Sequence, residues 1–441
     1  MSPLANPNHP SSHSNPHMFH RLIRFLHPPP PPPQPVMIEM SMPTPPSLNK
    51  PKHISYWLRC LKTCLPTDYT STDLNRLTLG SFTIAALDLL GALSNSTSLE
   101  ERAGWIDWIY HNQLPSGGFR GSPATFLYGA APHWDPPNLP ASYFALVTLI
   151  SLGDDLERVE KKGLLALLPK MQRSDGSFGE WLGPDDEVVG SSDMRFIYCA
   201  CAIRWILRGR NGDGIVEGVN DIDVDRCVSY IASAETYDHG ISEKPFGEAH
   251  AGHTYCAISA LSLLNRLEPT DTGISSSDNI VRWLVSRQIP FEARDGYDEE
   301  EIEELITEGT EETRLQATHV EVGADNHPLW AGFNGRCGKR GDTCYSFWVG
   351  GSLDVLKKLH LIDVKANRRF LLEKTQHFIG GFAKLPGPGV PPDIMHSFLG
   401  LAALALVREE GLNRLDAMLC ISMQAKERLM EMDWWKNAPV S

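Results

Sequence analysis

Long apolar runs are scarce in this chain of 441 residues. The longest near its end, 399–407, carries Gly400 inside it and falls far short of the roughly 20 residues that span a bilayer. No transmembrane helix is expected. Positive charge is also in short supply: 40 Lys and Arg stand against 54 Asp and Glu, a formal charge of −14, and no broad basic tract runs through the sequence. That balance excludes nucleic acid as the main partner, because binding its backbone needs a positive footprint. Cysteines number nine, odd for a disulfide framework, and no secretory pattern accompanies them, so free thiols in a reducing cytoplasm are expected. Cys199, Cys201 and Cys256 fall within apolar helical patterns and read as small buried hydrophobes. Strand-like alternation is nearly missing. What remains, at 42% hydrophobic and 21% charged, is the composition of a soluble globular protein with a large core.

Two segments differ from the rest. Residues 1–51 are dominated by Ser, His and Pro, with six consecutive prolines at 28–33, and read as a disordered or polyproline-II tail ahead of a folded domain at 52–441. Arg21 and Arg24 lie near Phe19, Leu22 and Phe25 in that tail, but the basic stretch is short and not terminal, so a mitochondrial presequence is disfavoured. The second segment, at about 292–330, centres on the acidic run at 298–304 and reads as a solvated surface insertion.

The body contains a loose repeat in which a glycine-bearing turn precedes an apolar helix. Turns fall at Gly117-Gly118-Phe119, at 175–179, at Asp238-His239-Gly240, at Gly332-Phe333-Asn334-Gly335 and at Gly380-Gly381-Phe382. Helices are expected at 143–152, 194–207, 254–264, 345–359 and 397–407, with amphipathic ones at 278–288 and 367–377. Units of this kind cannot each bury an apolar face alone and must stack, giving a solenoid or, where the array closes, an all-α α/α barrel. In a closed ring the turns gather at one mouth of a central cavity.

The segment GFNGRCGKRGDTCYSFWVGG, residues 332–351, places Asp342 and Cys344 two residues apart beside Arg336, Lys339 and Arg340. A carboxylate and a thiolate at this spacing can reach one ion. His396, ahead of an apolar helix in the next repeat, completes a three-ligand set that leaves a fourth position open, as in a catalytic zinc site. The cations next to it suit an anionic leaving group. Such Asp-x-Cys pairs also arise by chance, and His250 in GEAHAGHTYC has a bland reading as a core or surface histidine. Arg195, on an otherwise apolar helix, must be paired or face a polar cavity; Asp193 is the nearby acid, but residues two apart on a helix do not face each other. Tyr198, Phe347 and Trp348 suit either the core or a cavity for a long apolar ligand.

Taken together, GRCGKRGDTCYSFWVGG, EAHAGHTYC and DMRFIYCA resemble the signature segments of protein prenyltransferase β subunits, over about residues 53–435. The resemblance implies an α/α toroid and one zinc ion on Asp342, Cys344 and His396. It implies that His250, Gly252, Arg336, Lys339, Tyr345 and Arg195 serve the prenyl diphosphate. Thr78, Phe82, Tyr198, Cys256 and Trp348 would then line the isoprenoid cavity. Thr78, where the farnesyl enzymes carry tryptophan, and Lys384, which resembles a built-in substitute for magnesium, are similar to geranylgeranyltransferase type I. Departures are Ala251 after the motif histidine, Cys337 and Gly338 before Lys339, and a slightly long stretch between Lys384 and His396.

The resemblance further implies catalysis without magnesium and an obligatory prenyltransferase α subunit. The substrates would be geranylgeranyl diphosphate and CaaX proteins ending in Leu or Phe, Rho-type small GTPases among them. Alternatives are a farnesyltransferase β subunit, a terpene cyclase, for which the acids at Asp221, Asp223 and Asp225 are wrongly spaced, and a non-catalytic toroid.

Overall fold

Successive outer helices lead into one and the same hairpin. In the computed structural model, which describes residues 46–126, 135–209, 216–267, 273–293, 319–387 and 389–437, bridges join Gln113 to Phe119, Gln172 to Phe178, Glu235 to Ile241 and Gln376 to Phe382. In each the partners lie six positions apart. Four positions after the first partner, a tight turn needs left-handed backbone, supplied by glycine in three cases and by His239 at φ 71° in the other. Gly380 shows why: at φ 92°, a side chain there would also lie 2.2 Å from the Lys52 carbonyl.

The fourth repeat departs from the sequence reading. Gly332 and Phe333 do not form the turn itself. They belong to β6 (Ala331–Phe333), which pairs antiparallel with β3 (Gln288–Pro290), Gln288 opposite Phe333. Asn334 donates its amide to Arg287 O at 3.0 Å, as Gly179 does to Met171 O and Ala383 to Thr375 O in their repeats. The acidic insertion is therefore inserted between the two partners of a standard bridge, and the hairpin is lengthened by β4 (Glu292–Ala293) pairing with β5 (His319–Val320). Its acidic centre lies outside the described residues. Strands β1 (Trp181–Leu182) and β2 (Val188–Val189), and β7 (Leu415–Asp416) and β8 (Ile421–Ser422), form two further short ladders.

Between the hairpins run α1 (Lys50–Lys62), α2 (Arg76–Leu89), the single turn α3 (Leu93–Ser96), α4 (Leu99–His111), α5 (Leu139–Leu152), α6 (Lys161–Met171), α7 (Met194–Arg208), α8 (Val224–Ser233), α9 (Ala251–Leu263), α10 (Ser277–Val285), α11 (Tyr345–Val355), α12 (Val364–Arg369), α13 (Ile394–Leu406), α14 (Met423–Glu431) and α15 (Asp433–Lys436). Helix α2 packs on α5, α5 on α7, α7 on α9, α9 on α11, α11 on α13, and α13 returns to α2. This is a closed inner ring of six. Helices α1, α4, α6 and α10 lie outside it, against α2, α5, α7 and α11.

Burial follows from position. Helix α5 has neighbours on several sides and buries eleven of its fourteen residues, whereas outer α8 buries only Cys227, Tyr230 and Ile231 along one stripe. The sequence boundaries run short at several N-termini because the capping residues Asn138, His250 and Asp393, each accepting a backbone N–H, precede the apolar run. The folded body also begins before 52: Asn49 caps α1, and Pro51 occupies its first turn, where no N–H is needed. Residues 46–51 thus belong to the domain, not to the tail.

His53 closes the ring's outer seam. It is fully buried, its Nε2 lies 3.0 Å from Gln376 Oε1, and its Nδ1 accepts from the Gly381 amide at 3.2 Å. Burial pulls its pKa from 6.5 to about 4, against the Gln376 hydrogen bond. The unfolded chain therefore binds this proton first as pH falls, and stability declines between about pH 6.5 and 4, by about 3 kcal/mol over the whole window. Urea unfolding at pH 7 and pH 5 tests this, with His53→Asn expected to flatten the slope.

Candidate metal centre and anion cradle

The N-termini of α7, α9, α11 and α13 converge, and their capping and first-turn residues build the site. Asp342 follows the bridge from Phe333 and accepts the Cys344 amide at 2.8 Å. Thr343 ties this loop to the fifth hairpin, with N–H to Lys384 O at 3.0 Å and Oγ1 to Ala383 O at 2.6 Å. Cys344 precedes α11 without capping it through its side chain, which leaves the sulfur available. Among the described residues, ligand atoms of Asp342, Cys344 and His396 all lie within 4.8 Å of one another, and all three residues are buried. One short loop and the next helix N-terminus thus unite the sequence's candidate ligands.

The electrostatics are those of a site built for a cation. Burial, reinforced by Asp342, pushes the Cys344 thiol well above its usual range, while Lys384 and a hydrogen bond from the Trp348 side chain act against the rise. Burial disfavours charge on His396 too, but Asp342, 3.3 Å from Nε2, and Asp393, 2.6 Å from Nδ1, push its pKa to about 9. Without a metal, the imidazolium pairs with both acids. With the histidine neutral, Asp393 accepts from Nδ1–H and turns the Nε2 lone pair inward, the carboxylate–histidine arrangement common around zinc. The donor set of carboxylate, thiolate and imidazole, dry and with this supporting acid, fits zinc. Asp393 escaped the sequence reading; its signal was its place as helix cap three residues before the histidine. Tyr69 steadies it by donating at 3.0 Å.

Beside this centre stands the cradle. His250 caps α9, its Nδ1 accepting from the Gly252 amide at 3.0 Å. The proton therefore sits on Nε2, which donates to the Tyr345 hydroxyl at 3.1 Å. Burial, and then His253 and Arg336, pull the His250 pKa to about 4, so the ring is neutral at pH 7. Burial, followed by Cys344 and Asp342, raises Tyr345 to about 12. Its own O–H is thus retained and free to donate to a ligand. Gly335 must be glycine, since a Cβ would lie 2.1 Å from the Tyr345 ring, and its carbonyl receives the Ala251 amide at 2.9 Å. Asn334 finds no donor for its side-chain oxygen among the described residues, and its side-chain amide donates to Lys339 O at 3.0 Å, shaping the loop that carries half-buried Arg336 and exposed Lys339 and Arg340. Arg336 pairs with Glu248 at 3.2 Å.

Arg195 corrects the sequence argument. It does pair with Asp193, through Nη2 at 2.6 Å, because Asp193 is the extended N-cap of α7 and not a helical residue. Burial works against the Asp193 charge, yet Arg195 holds its carboxyl below the usual range. His253, also unremarked in the sequence, lies 3.8 Å from Asp193, and its ring meets that of His250 at a tilt, centroids 4.7 Å apart. Lys384 keeps its ammonium exposed within electrostatic reach of Cys344.

Inside the ring an aromatic belt runs from Tyr143 to Tyr198, Tyr255 and Trp348, with ring separations of 5.2, 5.7 and 5.1 Å. Cys256 is buried on α9 within the electrostatic reach of Asp193 and Arg195. On α2, half-buried Thr78 precedes Phe82, whose ring meets Phe144 and Phe398 at 5.4 and 5.1 Å. Among the described residues no helix is long and apolar enough to cross a membrane.

Comparison with known proteins places this geometry. The family described as the prenyltransferase alpha-alpha toroid domain matches residues 48–421. The geranylgeranyl transferase type-1 subunit beta of Dictyostelium discoideum is 31% identical over 88% of this chain and 98% of its own, and that of Arabidopsis thaliana 31% identical over 84% and 88%. Among solved structures, the Candida albicans protein geranylgeranyltransferase-I complexed with GGPP is similar at a TM-score of 0.69 and 27% identity, over 88% of this chain and 99% of that one. The chain belongs to the prenyltransferase alpha-alpha toroid family, among the protein prenyltransferase β subunits of the geranylgeranyl type 1 kind.

Proposed function

We propose that this chain is the catalytic subunit of a zinc-dependent protein geranylgeranyltransferase type I. It would act with a prenyltransferase α subunit in the cytoplasm, alkylating the cysteine of CaaX proteins whose last residue is Leu or Phe, Rho-type GTPases included. The observation that carries the reading is the convergence of Asp342, Cys344 and His396 within 4.8 Å, next to the hydrogen-bonded pair of His250 and Tyr345.

Asp342, Cys344 and His396 would hold the zinc, which would supply the Lewis acidity that activates a substrate thiol at neutral pH. The chain's own groups do the rest. Asp393, 2.6 Å from His396 Nδ1, would fix the tautomer that offers Nε2 to the ion, and the negative charge of Asp342 and Cys344 would temper the ion's Lewis acidity. As the C1–O bond of the donor breaks, negative charge grows on the diphosphate. The Tyr345 hydroxyl, Arg336 and Lys339 are the donors placed to meet it, in a site whose helix N-termini already favour anions. Lys384 adds a fixed positive charge near the centre, the reason to expect no need for magnesium.

Prenyl transfer by the purified heterodimer tests this directly, offering farnesyl and geranylgeranyl donors to peptides ending in Leu or Ser, with and without magnesium. Magnesium-independent geranylgeranylation of the Leu peptide is expected. Magnesium-dependent farnesylation of the Ser peptide would move the chain to the farnesyl enzymes and leave Lys384 without its role. In the same assay Thr78→Trp is expected to shift the donor preference towards farnesyl by about 10- to 100-fold, since an indole fills space that a threonine leaves open. An unchanged ratio would remove Thr78 from the cavity wall.

A further inference from the structure

His253 stands in the first turn of α9, after the cap His250, and carries a nitrogen that the folded chain does not use. Its Nε2 faces Asp193 Oδ1 at 3.8 Å, so the ring proton sits on Nε2, on the carboxylate's side, and Nδ1 holds the lone pair. That Nδ1 is buried and finds no hydrogen-bond partner among the described residues. Leaving a buried acceptor unpaired is costly, and such an atom calls for an explanation.

His250, whose ring centroid is 4.7 Å away, is committed at both nitrogens. Its Nδ1 accepts the Gly252 amide at 3.0 Å and its Nε2 donates to the Tyr345 hydroxyl at 3.1 Å, so a second proton there would cost the cap of α9. The charged and titratable groups that bear on His253 come from three directions: Asp193 and Arg195 at the N-terminus of α7, Glu243 ahead of α9, and His250 on its own helix, itself under the influence of Arg336. Burial holds His253 below its usual range; Asp193 and then Glu243 oppose the fall, and Arg195 adds to it. The empty cradle therefore keeps this ring neutral at pH 7.

We propose that His253 is the proton acceptor of the anion cradle: it binds a proton at Nδ1 as a prenyl diphosphate enters, and so adds a cation to the site only while the donor is bound. The inference rests on the prenyl-transfer reading above and deepens it. The proton comes from a buffer acid and goes to the Nδ1 lone pair, leaving the buffer base behind; no bond of the donor changes. The driving force is Coulombic. A diphosphate brings several negative charges beside a half-enclosed imidazole, where they favour its charged form more strongly than they would in bulk water. Asp193, on the Nε2 side, meets the imidazolium from behind.

Calorimetry on the zinc-loaded heterodimer tests this. Geranylgeranyl diphosphate is titrated in without a peptide acceptor, at about pH 7.5, in two buffers of different ionisation enthalpy, and the heats give the protons exchanged. The wild type is expected to take up at least about 0.5 proton per site more than His253→Gln, which keeps an N–H towards Asp193 and cannot accept the proton; the difference cancels any proton the donor itself releases. Between about pH 7 and pH 8.5 the wild-type Kd should rise at least about 3-fold more than that of the variant, because affinity that depends on a gained proton falls as pH rises. If the wild-type heterodimer binds no prenyl diphosphate, the function itself fails. If it binds, and His253→Gln takes up as many protons, the assignment of His253 is overturned. A wild-type titration with no net proton uptake overturns it as well, whether or not the variant folds.

Discussion

Cys344→Ala is expected to reduce bound zinc from about one per heterodimer to near none and to cut transfer by at least about 1,000-fold, while the ring stays folded. The reason for the last clause is in the metal-free site. There His396 is an imidazolium, its pKa about 9, flanked by Asp342 at 3.3 Å and Asp393 at 2.6 Å, so losing the metal still leaves each buried acid an ion-pair partner. His396→Ala should match Cys344→Ala in zinc content and turnover but not in stability. It strands two carboxylates in a buried site, a situation that costs about 3–5 kcal/mol. Metal analysis, single-turnover transfer and urea unfolding of both variants separate the two effects. Full zinc in either variant would remove that residue from the ligand set, and equal stabilities would show that His396 does not stabilise the acids.

That contrast marks where the sequence was legible. Asp342, Cys344 and His396 are readable because chemistry confines them to few residue types and the repeat sets the third ligand one unit away. Asp393 is not, because its role depends on the N-cap geometry that brings a carboxylate onto the back of the histidine. The same geometry explains Arg195: helical spacing separates it from Asp193 only if both are helical, and the cap is not. Inner helices were visible as runs apolar on most sides, and the starts at Met194 and Tyr345 with them, but the starts at Leu139, Ala251 and Ile394 were not, since polar caps interrupt the pattern.

The fourth repeat was misread for a different reason. A glycine pair with phenylalanine looks the same whether it closes a tight turn or ends a strand, and the insertion had carried Gln288, the partner of Phe333, far away in sequence. The hairpin at 415–422 left no trace at all. It is held by the hydroxyls of Tyr143, Tyr198 and Tyr255, more than 150 residues away in sequence and each at the same rung of a different helix.

Removing the cradle's cations should rival removing the metal. Arg336→Ala combined with Lys339→Ala is expected to slow single-turnover transfer at saturating donor by about 10,000-fold, since one donor to a developing anion is worth about 100- to 1,000-fold in a site shielded from water. The two are not equivalent. Arg336 is half-buried and already paired with Glu248 at 3.2 Å, so it is held in place before the donor arrives, whereas exposed Lys339 carries its charge on a flexible stem. Arg336→Lys should therefore keep donor affinity within a few-fold yet lose much of the rate, because the charge survives and the fixed fork does not. Glu248→Gln frees Arg336 from its partner and should tighten donor binding while loosening that placement. The decisive quantity is the rate at saturation. If the double variant binds donor poorly but transfers at the wild-type rate once saturated, the cations hold the diphosphate in the ground state only, and the Tyr345 hydroxyl, freed to donate by the His250 tautomer, is left as the group that meets the growing charge.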